Sequence, residues 1–543
     1  MDEQEINGPS VPRQLAPTSR ERRAVLIASA AATASFGAWP VVSIASTSGP
    51  DIHIELRAMP DQVSLRPGTP TRVWRYRGTL LRGDAGALEP SAGGYLGPII
   101  RVRRGQRVRI DLVNDLPEST VIHWHGLHVP EAMDGHPRFA ISPGERYVYE
   151  FSVVNRAGSY WFHPHPHGRT GKQVYSGLAG LFLVSDDEEA ALELPRGMQD
   201  IPLVLQDRSF DDDNQFVYLN GEPAAAATPR RGMDGGMMRS GMSGMMTRMM
   251  GVLGDQILVN GKPDATIAVE RRAYRLRLLN ASNARIYKLA WADGSPLSVI
   301  GSDGGLLAEP VRRNYVMLAP AERVELWVDF ARWPVGAAVE LRSLPFDSGM
   351  SMGGMMGGSG LADGAAFSVL RFRSSSGPAV PSALPQRLST VPAARPQAAV
   401  NADRPKVFDL TMRMMAWGIN GKSFEMLAAS SLETVKLGTQ EVWEFRNESM
   451  GGMMSMSMAH SMHVHGLQFR VLGRSVRGDS SEPYDTVSGG FVDDGWKDTV
   501  LVMPDERVRI LVRFADYLGL FLYHCHMLEH EDSGLMRNYR VVA

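Results

Sequence analysis

The chain has 543 residues, a formal net charge of −2 and an apolar fraction of 44%. That length makes room for two to four domains, and that charge gives no electrostatic case for binding nucleic acid or an anionic membrane. One cysteine rules out an intrachain disulfide, while thirty methionines exceed what gap-filling in a core needs. Twenty-one of the thirty fall in four stretches, 233–250, 350–356, 412–415 and 450–462.

Residues 1–50 read as an export signal and leader. Arg22 and Arg23 precede an apolar run of small residues with Ala- and Ser-rich cleavage positions. The segment RRAVL resembles the bacterial twin-arginine signal, which exports folded proteins, so a periplasmic or otherwise exported protein is expected. The apolar run is short for a membrane span. An uncleaved anchor is the alternative reading, and no stable membrane association is expected after cleavage.

The remainder is self-similar. PGERYVYEF (143–151), PAERVELWVDF (320–330) and PDERVRILVRF (504–514) share Pro-x-Glu-Arg followed by alternating apolar residues, the signature of a strand with one buried face. A second shared strand precedes each and ends at Asn114, Asn280 or Asn447. Long strands with Gly and Pro turns predict an all-β protein of three Greek-key sandwiches or barrels. The domains are placed at 51–188, 195–372 and 405–543, with a proline-rich linker at 373–404.

These anchors align the histidines. Glu145 to His163 and Glu506 to His524 are both 18 residues, so HPH in the first copy falls on HCH in the third. HWHG (123–126) likewise corresponds to HVHG (463–466), while the second copy has no histidine in either place. Residues i and i+2 of a strand point to one side, roughly 6.6 Å apart. Four such pairs predict a cage of His123, His125, His163 and His165 facing His463, His465, His524 and His526. The side chain of Cys525, between His524 and His526, points away from that cage and must serve another metal. His460 and His530 complete a His₂Cys set suited to blue copper.

HWHG, HPHPHG, HSMHVHG and HCHMLEH resemble, in order, the four copper signatures of multicopper oxidases, three-domain cupredoxin enzymes that include laccases and copper efflux oxidases. The resemblance implies four copper ions. His460, Cys525 and His530 would hold type 1; His123 and His463 type 2; His125, His163, His165, His465, His524 and His526 the type 3 pair. It implies electron removal from a reducing substrate at type 1 copper and reduction of O₂ to water at the trinuclear cluster; a monomer is expected. Asp134 resembles the family's acidic residue near the type 2 copper and Glu531 the one adjacent to a type 1 histidine, and both are expected to relay protons. His128 and His167 lie beside motifs in supporting roles, and His53 and His136 have no assigned role.

Three departures stand out. The residue five after His530, often an axial methionine in bacterial members, is Leu535, which is non-ligating. Ser461 replaces the usual proline of the His-Pro-x-His motif and is expected to loosen that loop. Met453, Met454, Met456 and Met458 precede His460 and are candidate ligands for substrate Cu(I), since thioethers prefer the cuprous ion. Met458 corresponds to a methionine at the substrate-copper site of copper efflux oxidases, but Met456 stands where that family has an aspartate. The methionines at 237–250 recur at helical spacing and would pack as a lid if they bind no copper. Copper tolerance through Cu(I) oxidation is the leading expectation, phenol oxidation the alternative, and Fe(II) a further substrate. A non-catalytic copper-binding protein or a cell-division accessory protein of the same fold is the remaining alternative.

Overall fold

The computed structural model describes residues 49–91, 94–219, 224–225, 248–349, 361–413, 416–448, 458–478 and 481–543. The leader, most of the methionine tracts and the candidates Met453, Met454 and Met456 lie outside the described residues. Among the described residues no helix is long and apolar enough to cross a membrane.

Six sheets form three cupredoxin-like sandwiches. The first sets Thr71–Arg82, Ile52–Val63, Arg107–Asn114 and Arg146–Ser152 against a sheet that ends with Gly158–Pro164 beside Ile122–His125. The third sets Ala416–Ile419, Lys406–Arg413, Gln440–Asn447, Glu506–Arg513 and Phe469–Val476 against a sheet in which Gly519–Cys525 pairs with His460–Val464. In the second, Ala338–Ser343 and Tyr287–Trp291 occupy the equivalent places.

Burial alternates where one strand face meets water: Ile52, Ile54, Leu56 and Ala58 are inside, while His53, Glu55 and Arg57 are not. In Ile122–His125, Gly158–Pro164 and His460–Val464 every residue is buried. Both faces of these strands are covered, one by the sandwich core and one by the neighbouring sandwich. Each sandwich has its own apolar cluster, centred on residues such as Trp124, Leu326 and Trp443.

The sequence repeat is a structural repeat. The amide of Asn114 donates to Ile141 O at 3.0 Å, that of Asn280 to Leu318 O at 2.8 Å, and that of Asn447 to Met503 O at 3.0 Å. Each thereby ties a strand end to the turn that opens the next shared strand. In that turn the glutamate accepts from the backbone three residues back: Ser142 N to Glu145, Ala319 N to Glu322 and Met503 N to Glu506. The residue before the glutamate is left-handed in every copy, with φ of 83° at Gly144, 74° at Ala321 and 59° at Asp505. That conformation disfavours ordinary side chains, so the turn is held by its hydrogen bonds.

The segment 373–404 follows the strand Phe367–Ser374 along the second sandwich, where Leu388 is buried and its N–H donates to Ala308 O at 2.8 Å.

Candidate metal centres

The pairing register builds the cage directly. Antiparallel neighbours place His123 opposite His163 in the first sandwich and His463 opposite His524 in the third. The two halves meet with the rings of His123 and His465 stacked at 3.6 Å and those of His125 and His463 at 3.7 Å. Three donor sets result: His125, His163 and His526; His165, His465 and His524; and His123 with His463 and His125. All eight imidazoles are buried.

For six of the eight rings, hydrogen bonds settle which nitrogen faces inward. His123 Nδ1 donates to Asp134 O at 2.6 Å, His463 Nδ1 to Asp498 O at 2.7 Å, His163 Nδ1 to Pro164 O at 2.9 Å and His524 Nδ1 to Cys525 O at 3.1 Å. His465 Nδ1 donates to the Asp134 carboxylate at 2.8 Å. With the proton on Nδ1, Nε2 carries a bare lone pair. Yet His123 and His463 face each other Nε2 to Nε2 at 3.3 Å. Two lone pairs do not hydrogen-bond, and a buried polar atom needs a partner. A cation between them satisfies both.

His125 is reversed: its Nε2 donates to Asp498 Oδ1 and reaches Thr499 Oγ1, each at 3.1 Å, and its buried Nδ1 has no partner. Burial above all, followed by the neighbouring imidazoles His163 and His463, holds His123 well below the ordinary histidine range. Burial likewise takes His163 down to about 3 and His524 to about 4. The cage is therefore a set of neutral donors, as a metal requires.

Cys525 lies in the third sandwich alone. Its Sγ is 3.5 Å from His460 Nδ1 and 3.7 Å from His530 Nδ1, and it accepts from Met527 N at 3.4 Å. Alternation along Gly519–Cys525 puts this thiol on the core side while His524 faces the cage. Burial pushes the thiol up to about 12, so only a bound cation would hold it as thiolate. The donor set of two neutral imidazoles and a thiolate fits copper. Leu535 is fully buried in the same apolar cluster as Cys525, and Cys525 N donates to Leu535 O at 3.0 Å. Trp417 packs against both imidazoles, with ring centroids 4.9 Å from His460 and 4.7 Å from His530.

The acidic candidates lie at the cage. Asp134, buried and pushed upward by that burial and by Glu131, holds His465 through its side chain and His123 through its carbonyl. Glu531 is also buried, 3.4 Å from His165 Nε2 and 3.2 Å from His524 Nδ1, and its Oε2 has no hydrogen bond.

The expectation for Ser461 is overturned. Position 461 is not in a loose loop but in the strand His460–Val464, where its hydroxyl donates to Pro320 O at 2.7 Å and its carbonyl accepts from His526 N. The hydroxyl thus ties this strand to the second sandwich, which a proline could not do. His128 joins Gly466 O to Asp516, His136 contacts Asn538 Oδ1, His53 pairs with Asp111, and His167 is exposed beside Phe424.

Sequence reasoning missed Asp498, Thr499 and Arg323. Arg323 was in view as part of the repeated Pro-x-Glu-Arg, but the repeat itself suggested only a strand start. Gly126, after the second histidine of HWHG, has φ of 85°, and a Cβ there would lie 2.5 Å from Asp498 Oδ2 and 2.7 Å from Arg323 Nη2. That glycine leaves room for a pair contributed by the other two sandwiches.

Family profiles described as multicopper oxidase match residues 87–189 and 399–543. The chain is 30% identical to a laccase of Bacillus stratosphericus over 521 residues, covering 87% of this chain and 91% of that one. It is 32% identical to the cell division protein FtsP of Xenorhabdus nematophila, covering 82% of each. The crystal structure of the McoA multicopper oxidase from Aquifex aeolicus superimposes with a TM-score of 0.72 at 34% identity, covering 91% of this chain and 97% of that one.

Proposed function

The chain belongs to the multicopper oxidase family, and from that premise we propose that it is an exported cuprous oxidase, acting as a monomer in copper tolerance, with phenols as a second substrate class. Copper at these centres supplies one-electron oxidation of a reducing substrate at the first and reduction of O₂ to water at the second. His460, Cys525 and His530 would hold type 1 copper, His123 and His463 type 2, and the other six cage histidines the type 3 pair. The residues between them do the positioning. Backbone carbonyls and Asp134 fix the imidazole tautomers, the sandwich interface excludes water, and the peptide from His524 to His526 joins the two centres covalently. Asp134 and Glu531 are the carboxyl groups within reach of the cage for supplying protons.

The observation that carries Cu(I) is a small cavity beside His460. Met250, Met458, Met527 and Asp363 are among the residues that line it, and Asp363 Oδ1 is buried without a partner. Soft thioethers suit a cuprous ion better than a phenol ring, and the unpartnered Asp363 oxygen is a further donor. Export is supported by the paired arginines of the leader, and phenol oxidation by apolar Leu535 beside Cys525.

The test is O₂ consumption with Cu(I), Fe(II) and a phenol, in the parent and in Asp363→Asn combined with Met458→Ser. Cu(I) is expected to be the best substrate, and the double variant to raise its KM while sparing phenol oxidation. Equal loss on both substrates, or no Cu(I)-dependent uptake in the parent, would replace this reading with that of a phenol-directed laccase. Absence of uptake with every substrate would favour a non-catalytic role.

A further inference from the structure

The three copies of Pro-x-Glu-Arg place three equivalent arginines, and they meet different fates. Arg146 and Arg507 are partly exposed, Arg146 pairing with Glu55 and the buried Asp111 and Arg507 with Glu448. Arg323, at the head of the strand Arg323–Asp329 in the sandwich without metal ligands, is fully buried. A buried guanidinium is costly unless every donor is used.

Every donor is used, and the acceptors come from all three sandwiches. Nε donates to Ser159 O at 2.9 Å in the first. In the second, Nη1 donates to Ala321 O at 2.9 Å and Nη2 to Asp303 O at 3.0 Å. The remaining two N–H groups form a bidentate pair with Asp498 of the third, Nη1 to Oδ1 at 2.7 Å and Nη2 to Oδ2 at 2.5 Å. Asp498 in turn accepts from His125 Nε2 at 3.1 Å through Oδ1, and its carbonyl accepts from His463 Nδ1 at 2.7 Å. The backbone of the same segment is held too. Asp303 takes Arg323 N at 2.8 Å on Oδ1, and Asp498 N and Thr499 N at 3.3 Å on Oδ2.

We propose that Arg323 is a positioning residue of the trinuclear cage: its guanidinium fixes Asp498, and Asp498 fixes His125 with Nδ1 turned inward. The sandwich that carries no ligand would then set the orientation of a ligand in the first through an acid in the third. The planar five-donor fork is required, because a lysine cannot hold Asp498 bidentately while also satisfying carbonyls from three directions.

Arg323→Lys and Asp498→Asn in the copper-loaded protein test this. Both are read by copper retained against a competing chelator, by near-ultraviolet type 3 absorption, by the type 2 electron paramagnetic resonance signal and by the blue type 1 band. Both variants are expected to keep the blue band, since Cys525, His460 and His530 lie outside the network. They are expected to hold trinuclear copper about 10–100-fold less tightly, the usual effect of removing a ligand's supporting partner, with altered type 2 and type 3 signals. If Arg323→Lys yields no folded protein, Asp498→Asn decides on the same readouts. Full retention of trinuclear copper with unchanged signals would overturn the proposal. Loss of the blue band in step with the trinuclear signals would also overturn it, since that is the behaviour of a general structural clamp.

Discussion

The two metal centres share a strand pair of the third sandwich yet differ in what assembles them. The centre at Cys525 uses only the third sandwich: His460 and Cys525 sit on paired neighbouring strands, and His530 follows on the short helix Leu528–Asp532. The cage needs two sandwiches in contact, and its supporting groups come from all three. One centre can therefore form wherever the third sandwich folds, whereas the other exists only in the docked molecule. The second sandwich sharpens this contrast, since Tyr287–Trp291 and Ala338–Ser343 occupy the equivalent strands and spend them on packing.

Substitutions confined to one centre should separate the two. The largest effect is expected from Cys525→Ser, which removes the thiolate and so abolishes the blue band and turnover while the cage retains its copper. Metal analysis with the visible spectrum checks it, and substantial remaining oxidation would mean that electrons reach the cage without this thiol. A smaller and opposite separation is expected from Asp134→Ala. His465 loses its acceptor, but His123 keeps the carbonyl of residue 134. Turnover should fall about 10–100-fold with the blue band unchanged, and the damage should appear in type 3 absorption ahead of the type 2 signal. Equal damage to both would show that the backbone of residue 134 had moved.

The smallest effect is expected at Leu535. An axial thioether stabilises Cu(II) more than Cu(I), so Leu535→Met should lower the type 1 potential, where about 59 mV is a tenfold change in a one-electron equilibrium. Redox titration of the blue band measures the shift, and the cage signals should not change. A potential that stays put or rises would show that residue 535 is not the axial neighbour.

Much of this was legible in the sequence because it depends on local geometry. The period of two along a strand puts both histidines of each His-x-His on one side and Cys525 on the other, whatever packs around them. The 18-residue spacing from Glu145 to His163 and from Glu506 to His524 survives because in both copies it spans the same two consecutive strands, one in each sheet of the sandwich. Ser461 was misread because proline was the only available comparison. Its partner, Pro320 O, belongs to another sandwich and lies 141 positions away.

What the sequence alone determined is therefore the donor set: which residues come together as candidate ligands, which strand faces they occupy and which repeat lacks them. What only the tertiary structure decided is how those donors are held: that His125 turns Nδ1 inward while its neighbours turn Nε2, that Asp134 and Asp498 supply the acceptors, and that one of three repeated arginines is drawn inside to meet Asp498. The physical reason is that a hydrogen bond specifies a few tenths of an ångström between atoms whose sequence separation carries no information. Arg323 and Asp498 are 175 residues apart, and until the sandwiches dock nothing distinguishes that arginine from its two copies on the surface.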